Sequence, residues 1–485
     1  MIPTVFGLIS IVVGFALLVR GTPLDLLRFM MLSTLFSGSA ALIMTALGGS
    51  SISPAHLALV FLVARILLPG SGEYARIPTA LGANVFLVVY ALYGAVSAFI
   101  LPRIFQGQIS VTPLRPMGLN SLFDTFPLTF STQNITTAVY MLGTLLSGIC
   151  ATVVARREDA AGKIVGTACL IGCTHAAFGV LGVVLTNLGL GEILNFFRNG
   201  SYGQLEQSYN GMVRITGIFP EASFYASYAF VWFVFAFECW MRDVRTRSTG
   251  PTAVVLLMIL VFSTSGGAYL SLAAYGALLV LRVLVLRQQL SPMKALAILV
   301  GVVAASIATL GLMLAVPHLA GQLADMFQHM TVDKADSVSG KQRSFWALQG
   351  VDAFVASHGL GIGAGSFRSS SLFTAMLGSM GAIGILTFLA HLVRVFKPLR
   401  ASTYSTPKDQ RMAIGSAASW TVLSMMIPAS IGAASPDPGI TFAILCGIAL
   451  ELRRRRGAVP AQSSAKLAAQ PHPIALPGAR TRSLS

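Results

Sequence analysis

Charge is scarce in this chain of 485 residues: only 10% are Asp, Glu, Lys or Arg, against roughly 25% in a soluble domain. Acids are scarcer still, 17 against 33 bases. A water-soluble fold cannot cover its apolar interior with so little polar surface, which excludes a soluble enzyme. Low charge combined with high apolar content also excludes an intrinsically disordered chain. There are 5 cysteines, and Cys150, Cys169, Cys173, Cys239 and Cys446 all fall inside apolar runs. That placement excludes a secreted disulfide scaffold.

Apolar residues are what the chain has in abundance. They make up 55% of it, with 29 Phe and 47 Gly, and the mean hydropathy is +0.76. Lipid is the solvent that suits such a composition. The expected fold class is all-α, a polytopic membrane bundle. Spanning-length runs lie near 3–19, 28–47, 53–69, 81–102, 134–154, 164–188, 219–240, 251–265, 267–286, 295–316, 371–393, 412–432 and 438–452. These predict about 12–13 transmembrane helices.

The net charge of +16 follows from topology. With Arg453–Arg456 placed in the cytoplasm, the alternating spans put most bases on that same side. Among them are Arg20, Arg28, Arg76, Arg156, Arg157, Arg242, Arg245, Arg282, Arg394 and Arg411. Nucleic acid is therefore not needed to explain the basicity. Residues 1–452 are expected to form the transmembrane domain, and 453–485 a basic, disordered cytoplasmic tail.

The long loops fall on the opposite, periplasmic side, at 103–133, 189–218 and 317–370. The last lies between the tenth and eleventh spans. Long loops on one surface place any chemistry there. Within 317–370, Leu323, Met326, Phe327 and Met330 have helical amphipathic spacing, as do Phe345, Leu348, Val351 and Val355 around Trp346. Such helices either roof a cavity open to the bilayer or cap the bundle.

A few charged groups on that side can carry chemistry. Arg214 lies in a segment ending Phe219-Pro220-Glu221-Ala222-Ser223. Pro220 suits a first helical turn, and Glu221 suits its positive end. Arg343 follows Lys341, and Arg368 follows the run Gly359–Gly365. Each arginine alone reads as an interfacial anchor. Together they can converge on an anion, which guanidinium grips bidentately. The glycine run lacks the Gly-Lys-Ser/Thr ending of a phosphate-binding loop. Cys169, Cys173 and His175 could suggest a metal site but read as residues packed between helices, and Asp333 and Asp336 read as an exposed loop charge cluster rather than a metal pair.

Three segments resemble the bacterial O-antigen polymerase and ligase superfamily, which contains Wzy-type polymerases and lipid A-core ligases. They are Arg214–Ser223, the stretch from Arg343 with Gly361–Gly365, and Gly381-Ala382-Ile383-Gly384. The number of spans and the large late loop resemble that family as well. Pro220-Glu221-Ala222-Ser223 is more similar to exopolysaccharide polymerases than to ligases. Two positions depart from the pattern: Gly266 and Gly267 stand where the family often has an Arg, and Ser370 stands near the position of the ligase His.

The resemblance implies a GT-C-like, metal-independent glycosyltransferase of the bacterial inner membrane that needs no cofactor. Its donor would be an oligosaccharide on undecaprenyl diphosphate, polymerised into exopolysaccharide or O-antigen. The expected catalytic residues are Arg214, Glu221 and Arg343, with Arg368 and Lys341 binding substrate. Membrane lipid, a chain-length regulator and a flippase are the expected partners. Ligase-type transfer to another acceptor and a lipid-oligosaccharide flippase or transporter are the alternatives.

Overall fold

The computed structural model describes residues 2–45, 49–115, 121, 123–200, 208–209, 212–285, 291–315, 337–400, 404 and 409–454. Its compact unit is Met1–Arg453. The helices are α1 (Val5–Arg20), α2 (Pro23–Ser33), α3 (Pro54–Leu67), α4 (Ile77–Ala83), α5 (Val85–Ile104), α6 (Thr132–Ala155), α7 (Ala160–Asn187) and α8 (Ala222–Met241). They continue with α9 (Thr246–Phe262), α10 (Gly266–Leu284), α11 (Pro292–Ala315), α12 (Val338–Ala356), α13 (Leu372–Phe396), α14 (Gln410–Ser424), α15 (Met426–Gly432) and α16 (Ile440–Leu452). Among the described residues, 7 helical stretches are long and apolar enough to cross a membrane, and shorter apolar helices accompany them. The protein is thus a helical membrane bundle.

Local sequence sets where several helices begin. Thr22 and Asp25 form a reciprocal capping box on α2, with Pro23 in the first turn. Ser131 and Asn134 do the same for α6. Ser53 caps α3 and Ser337 caps α12. Each supplies an oxygen to an orphan N–H that lipid could not satisfy.

Helices α8 and α16 are buried along most of their length, and so are large parts of α6 and α14. Small residues bring their backbones together: a Cβ built on Gly447 of α16 would stand 2.5 Å from the carbonyl oxygen of Gly148 on α6. Helices α1, α5, α7, α9, α10 and α11 leave large apolar side chains exposed, among them Val12, Leu92, Val180, Val254, Leu284 and Ile307. Without water outside, that arrangement costs nothing and is what a lipid-facing shell requires.

The run 28–47 is not one span. Helix α2 ends at Ser33, and the chain then forms a small antiparallel sheet of β1 (Ile2–Pro3), β2 (Leu42–Met44) and β3 (Ser50–Ile52). Gly38 lies close against the carbonyl of Ile218 and the ring of Pro220, and the Ser39 hydroxyl donates to the Phe197 carbonyl at 2.6 Å. The backbone there is satisfied inside protein rather than in a continuous helix. The remaining runs are helical, and the chain breaks between α9 and α10 at Ser263–Ser265, with Thr264 at φ +48°.

One end of the bundle gathers the arginines, and they cap helices. Arg411 donates to the carbonyls of Ala155 and Arg157 at 2.8 and 2.7 Å. Arg394 reaches Gly82 and Ala83, Arg65 reaches Gly21, and Arg245 reaches Gly162. Several of these are carbonyls at helix C-terminal ends, where cations also complement the helix dipole. Arg453, assigned from sequence to the tail, is instead 3% exposed and donates to the carbonyls of Val395 and Phe396. Arg282, counted from sequence with the cytoplasmic-side bases at the end of the run 267–286, is fully buried. Charge alone does not reveal a buried partner.

Candidate functional site

The opposite end holds the irregular backbone. The run Gly359–Gly365 threads between α13, the end of α5 and the start of α6. Gly359, Gly361, Gly363 and Gly365 all have φ between +84° and +99°. The Ile362 and Gly363 amides donate to the carbonyls of Gly378 and Ser379 at 2.8 and 2.9 Å. The Asn134 side-chain Nδ2 donates to the Ala364 carbonyl at 2.8 Å. Helix α13 is itself broken at Gly381, with φ +58° and ψ −152°, where the Ala382 amide donates to the Gly359 carbonyl. The motif Gly381–Gly384, read as helix from sequence, begins with a kink that receives the glycine strap.

This strap fixes the exit of the chain toward Arg368. The Arg368 backbone amide donates to the Thr112 carbonyl, and the Ser369 amide to the Ala434 carbonyl at 3.0 Å. Gln349 of α12 clamps the same region: its oxygen accepts the Thr112 amide and its nitrogen donates to the Thr112 hydroxyl, both at 2.9 Å. Helix α12 packs lengthwise on α13, with Gly350 against Thr374 and Gly378. The amphipathic stretch around Trp346 is therefore part of the bundle wall. The stretch 323–330, with Asp333 and Asp336, lies outside the described residues.

The three arginines border one region. Arg343 Nη1 reaches the Ile431 carbonyl at 3.4 Å. The Ser370 hydroxyl donates to the Arg343 carbonyl at 2.5 Å, tying the Arg368 segment to α12. The Arg368 guanidinium lies 4.5 Å from the centre of the Trp346 ring, one turn after Arg343. Arg214 Nη2 donates to the Thr264 carbonyl at 3.1 Å, at the α9–α10 break. A Cβ on Gly267, in the first turn of α10, would touch Ile431. The residues 431–434 thus stand between the α9–α10 break, Arg343 and Ser369. Burial lowers the Arg214 pKa, and the nearby charge of Arg343 lowers it further, while Glu221 and Tyr269 oppose. Half-buried like charges near one another favour a nearby anion.

Glu221 adopts extended backbone as the N-cap of α8, one residue after Pro220, so the helix starts at Ala222 rather than at Pro220. Its carboxylate accepts the Ser223 hydroxyl at 3.0 Å. Lys341 is exposed, two residues before the half-buried Arg343 and so on a different face of α12.

Several residues here were not legible from sequence. Arg198 donates through Nε to the Gly217 carbonyl at 3.1 Å and through Nη2 to the Thr216 hydroxyl at 2.9 Å. It thereby holds the segment that carries Arg214. Gln342 Nε2 and Trp346 Nε1, four residues apart on α12, are buried N–H donors without a partner among the described residues. Buried donors of this kind suit an oxygen-rich ligand. The spacing of 342, 346, 349 and 353 on one helix face was the available signal.

Cys169 and His175 pack in the core, with the His175 ring stacked on Tyr225 at 3.9 Å, whereas Cys173 is exposed. No protein-family model, curated protein or solved structure matches the chain.

Proposed function

We propose that the protein is a membrane-embedded, GT-C-like glycosyltransferase that polymerises lipid-diphosphate-linked oligosaccharide repeat units into exopolysaccharide or O-antigen at the bacterial inner membrane. The observation that carries this reading is the grouping of Arg214, Arg343 and Arg368 around residues 431–434, at the end of the bundle opposite the arginine-capped one. In this reading the arginine-capped end, which carries the excess of bases, is cytoplasmic and the site is periplasmic.

In the reaction, a hydroxyl of the incoming repeat unit attacks the anomeric carbon of the donor glycan. The bond from that carbon to the diphosphate oxygen breaks, and undecaprenyl diphosphate leaves. Negative charge grows on the leaving diphosphate, so guanidinium groups already in place stabilise the transition state more than the ground state. Arg214 and Arg343 hold the diphosphate, with Arg368 behind them on Trp346. Glu221 receives the hydroxyl proton. Gln342 and Trp346 offer N–H donors to glycan or phosphate oxygens.

The test is chain extension by purified protein in lipid nanodiscs supplied with undecaprenyl-diphosphate-linked repeat units. Polymer formation that is lost in Arg214→Ala supports the reading. Transfer only to a foreign acceptor indicates a ligase, although Ser370 occupies the place where ligases carry His. A lipid-oligosaccharide flippase is the second reading, favoured by the charged cluster buried around Glu238. It would move the substrate across the bilayer unchanged.

A further inference from the structure

Helices α7 and α9 touch on the side of the arginine-capped end. Arg245 Nη1 donates to the Gly162 carbonyl at 2.7 Å, and a Cβ on Gly172 would stand 2.8 Å from Thr252 and 2.9 Å from Leu256. Past these contacts the two helices line an open groove of about 990 Å³, a volume at the upper end of ligand pockets. Leu181 and Val184 form one wall, and Val255, Met258 and Phe262 the other. The buried Ala176 and Ile259 lie at its floor. The wall residues are exposed and apolar, so the groove faces lipid. From Cys173 to Val184 the α7 wall runs about 17 Å at helical rise. That is about one leaflet of a hydrocarbon core roughly 30 Å thick.

Both walls lead to Arg214. Helix α9 ends at Phe262, two residues before Thr264, whose carbonyl accepts Arg214 Nη2 at 3.1 Å. Helix α7 packs its small residues on the segment that follows Arg214. A Cβ on Gly179 would stand 3.0 Å from the Ile215 side chain, and one on Gly182 would stand 3.2 Å from the Gly217 Cα. The groove therefore begins near the middle of the bundle and runs to the end where Arg214 lies.

We propose that the α7–α9 groove holds the first part of the polyprenyl tail of the donor lipid, whose diphosphate sits at Arg214. The assignment rests on the lipid-diphosphate reading and adds to it the path of the tail. An ordinary acyl chain also suits apolar walls. A diphosphate held at Arg214, however, gives its own tail a high effective concentration at the groove, which an untethered chain lacks. Lipid surrounds the tail in either place, so the groove contributes close packing and a fixed direction rather than transfer out of water.

The experiment fills the groove of the full chain in nanodiscs. Ala177→Trp and Val255→Trp each place an indole in it from one wall, and Val12→Trp is the control on the lipid-facing side of α1. Dissociation constants are measured for undecaprenyl diphosphate and for geranyl diphosphate, which carries the same head on a short tail. The expected result is undecaprenyl diphosphate weakened about fivefold or more in both groove variants, geranyl diphosphate within about twofold of wild type, and neither ligand changed by Val12→Trp. Retained geranyl diphosphate binding shows that the groove variants are folded. Undecaprenyl diphosphate bound as tightly by both groove variants as by wild type overturns the assignment, gives the groove to bilayer lipid and leaves the diphosphate reading standing. Equal weakening of both ligands in the groove variants also overturns it. Undiminished binding of both ligands by Arg214→Gln overturns the diphosphate reading instead, and wild type that binds neither ligand overturns both.

Discussion

Replacing Gly363 by Ala tests how tightly the glycine strap is built into the bundle. Gly363 has φ +99°, and a Cβ there would stand 2.5 Å from the Pro102 ring and 2.8 Å from the Ser97 carbonyl oxygen. The left-handed backbone costs an L-residue roughly 1–2 kcal/mol. Forcing a methyl into packed neighbours adds about 1–3 kcal/mol, so the expected loss is about 2–5 kcal/mol. Two other glycines separate these contributions. Gly70 has φ +88° with nothing near its Cβ direction, so Gly70→Ala loses only the backbone part. Gly276, inside α10 and equally open, has ordinary helical φ, and Gly276→Ala gains about 0.5–1 kcal/mol. Reversible unfolding in detergent micelles should rank the variants with Gly276→Ala highest, Gly70→Ala below wild type and Gly363→Ala lowest. If Gly363→Ala falls no further than Gly70→Ala, the strap is not packed as described and the reasoning fails.

Further outcomes follow from the same contacts. Glu238→Gln leaves the buried guanidinium groups of Arg242 and Arg282 without their carboxylate and should destabilise the protein by about 3–5 kcal/mol. Lys163→Gln, at the exposed pair with Asp159, should change stability by no more than about 1 kcal/mol; denaturant midpoints for the two variants check this. Gln349→Ala strands the buried Thr112 amide and should cost about 1–3 kcal/mol, read the same way. Burial pushes the Asp437 carboxyl above its usual range, against hydrogen bonds from Thr144 and Gly439. The folded state then holds that proton more tightly than the unfolded chain. Stability should fall as pH rises from the ordinary carboxylate value through the raised one, and Asp437→Asn should flatten that slope in unfolding measured across pH.

Much of the bundle was legible because lipid imposes a coarse rule: long apolar runs become helices. The rule failed at 28–47, where Gly38 and the sheet-forming residues 42–44 let the chain stop its helix and satisfy its backbone against Asn199, Gly200 and Ile52. Periodicity placed Phe345–Val355 on a helix but could not show that Gly350 draws it against α13. The arginines of the site were visible as sparse charges in outer loops. Arg198 and Gln342 were not singled out, and Ser370 stood out only as a departure from the family pattern, because their importance lies in contacts with backbone and neighbours far away in sequence. Arg242, Arg282 and Glu238 were counted as charges by side, whereas the fold turns them into one buried cluster. The spacing of 4 residues between Glu238 and Arg242 was the only local hint of it.

The central claim is that Arg214, Arg343 and Arg368 together hold a lipid diphosphate. The most direct measurement is the dissociation constant of undecaprenyl diphosphate for the protein in nanodiscs, taken for wild type and for Arg214→Gln, Arg343→Gln and Arg368→Gln. The account predicts about tenfold or greater weakening for Arg214→Gln and for Arg343→Gln, a smaller loss for Arg368→Gln, and unchanged binding for Lys163→Gln at the other end. Wild-type affinity in folded Arg214→Gln and Arg343→Gln proteins would contradict it.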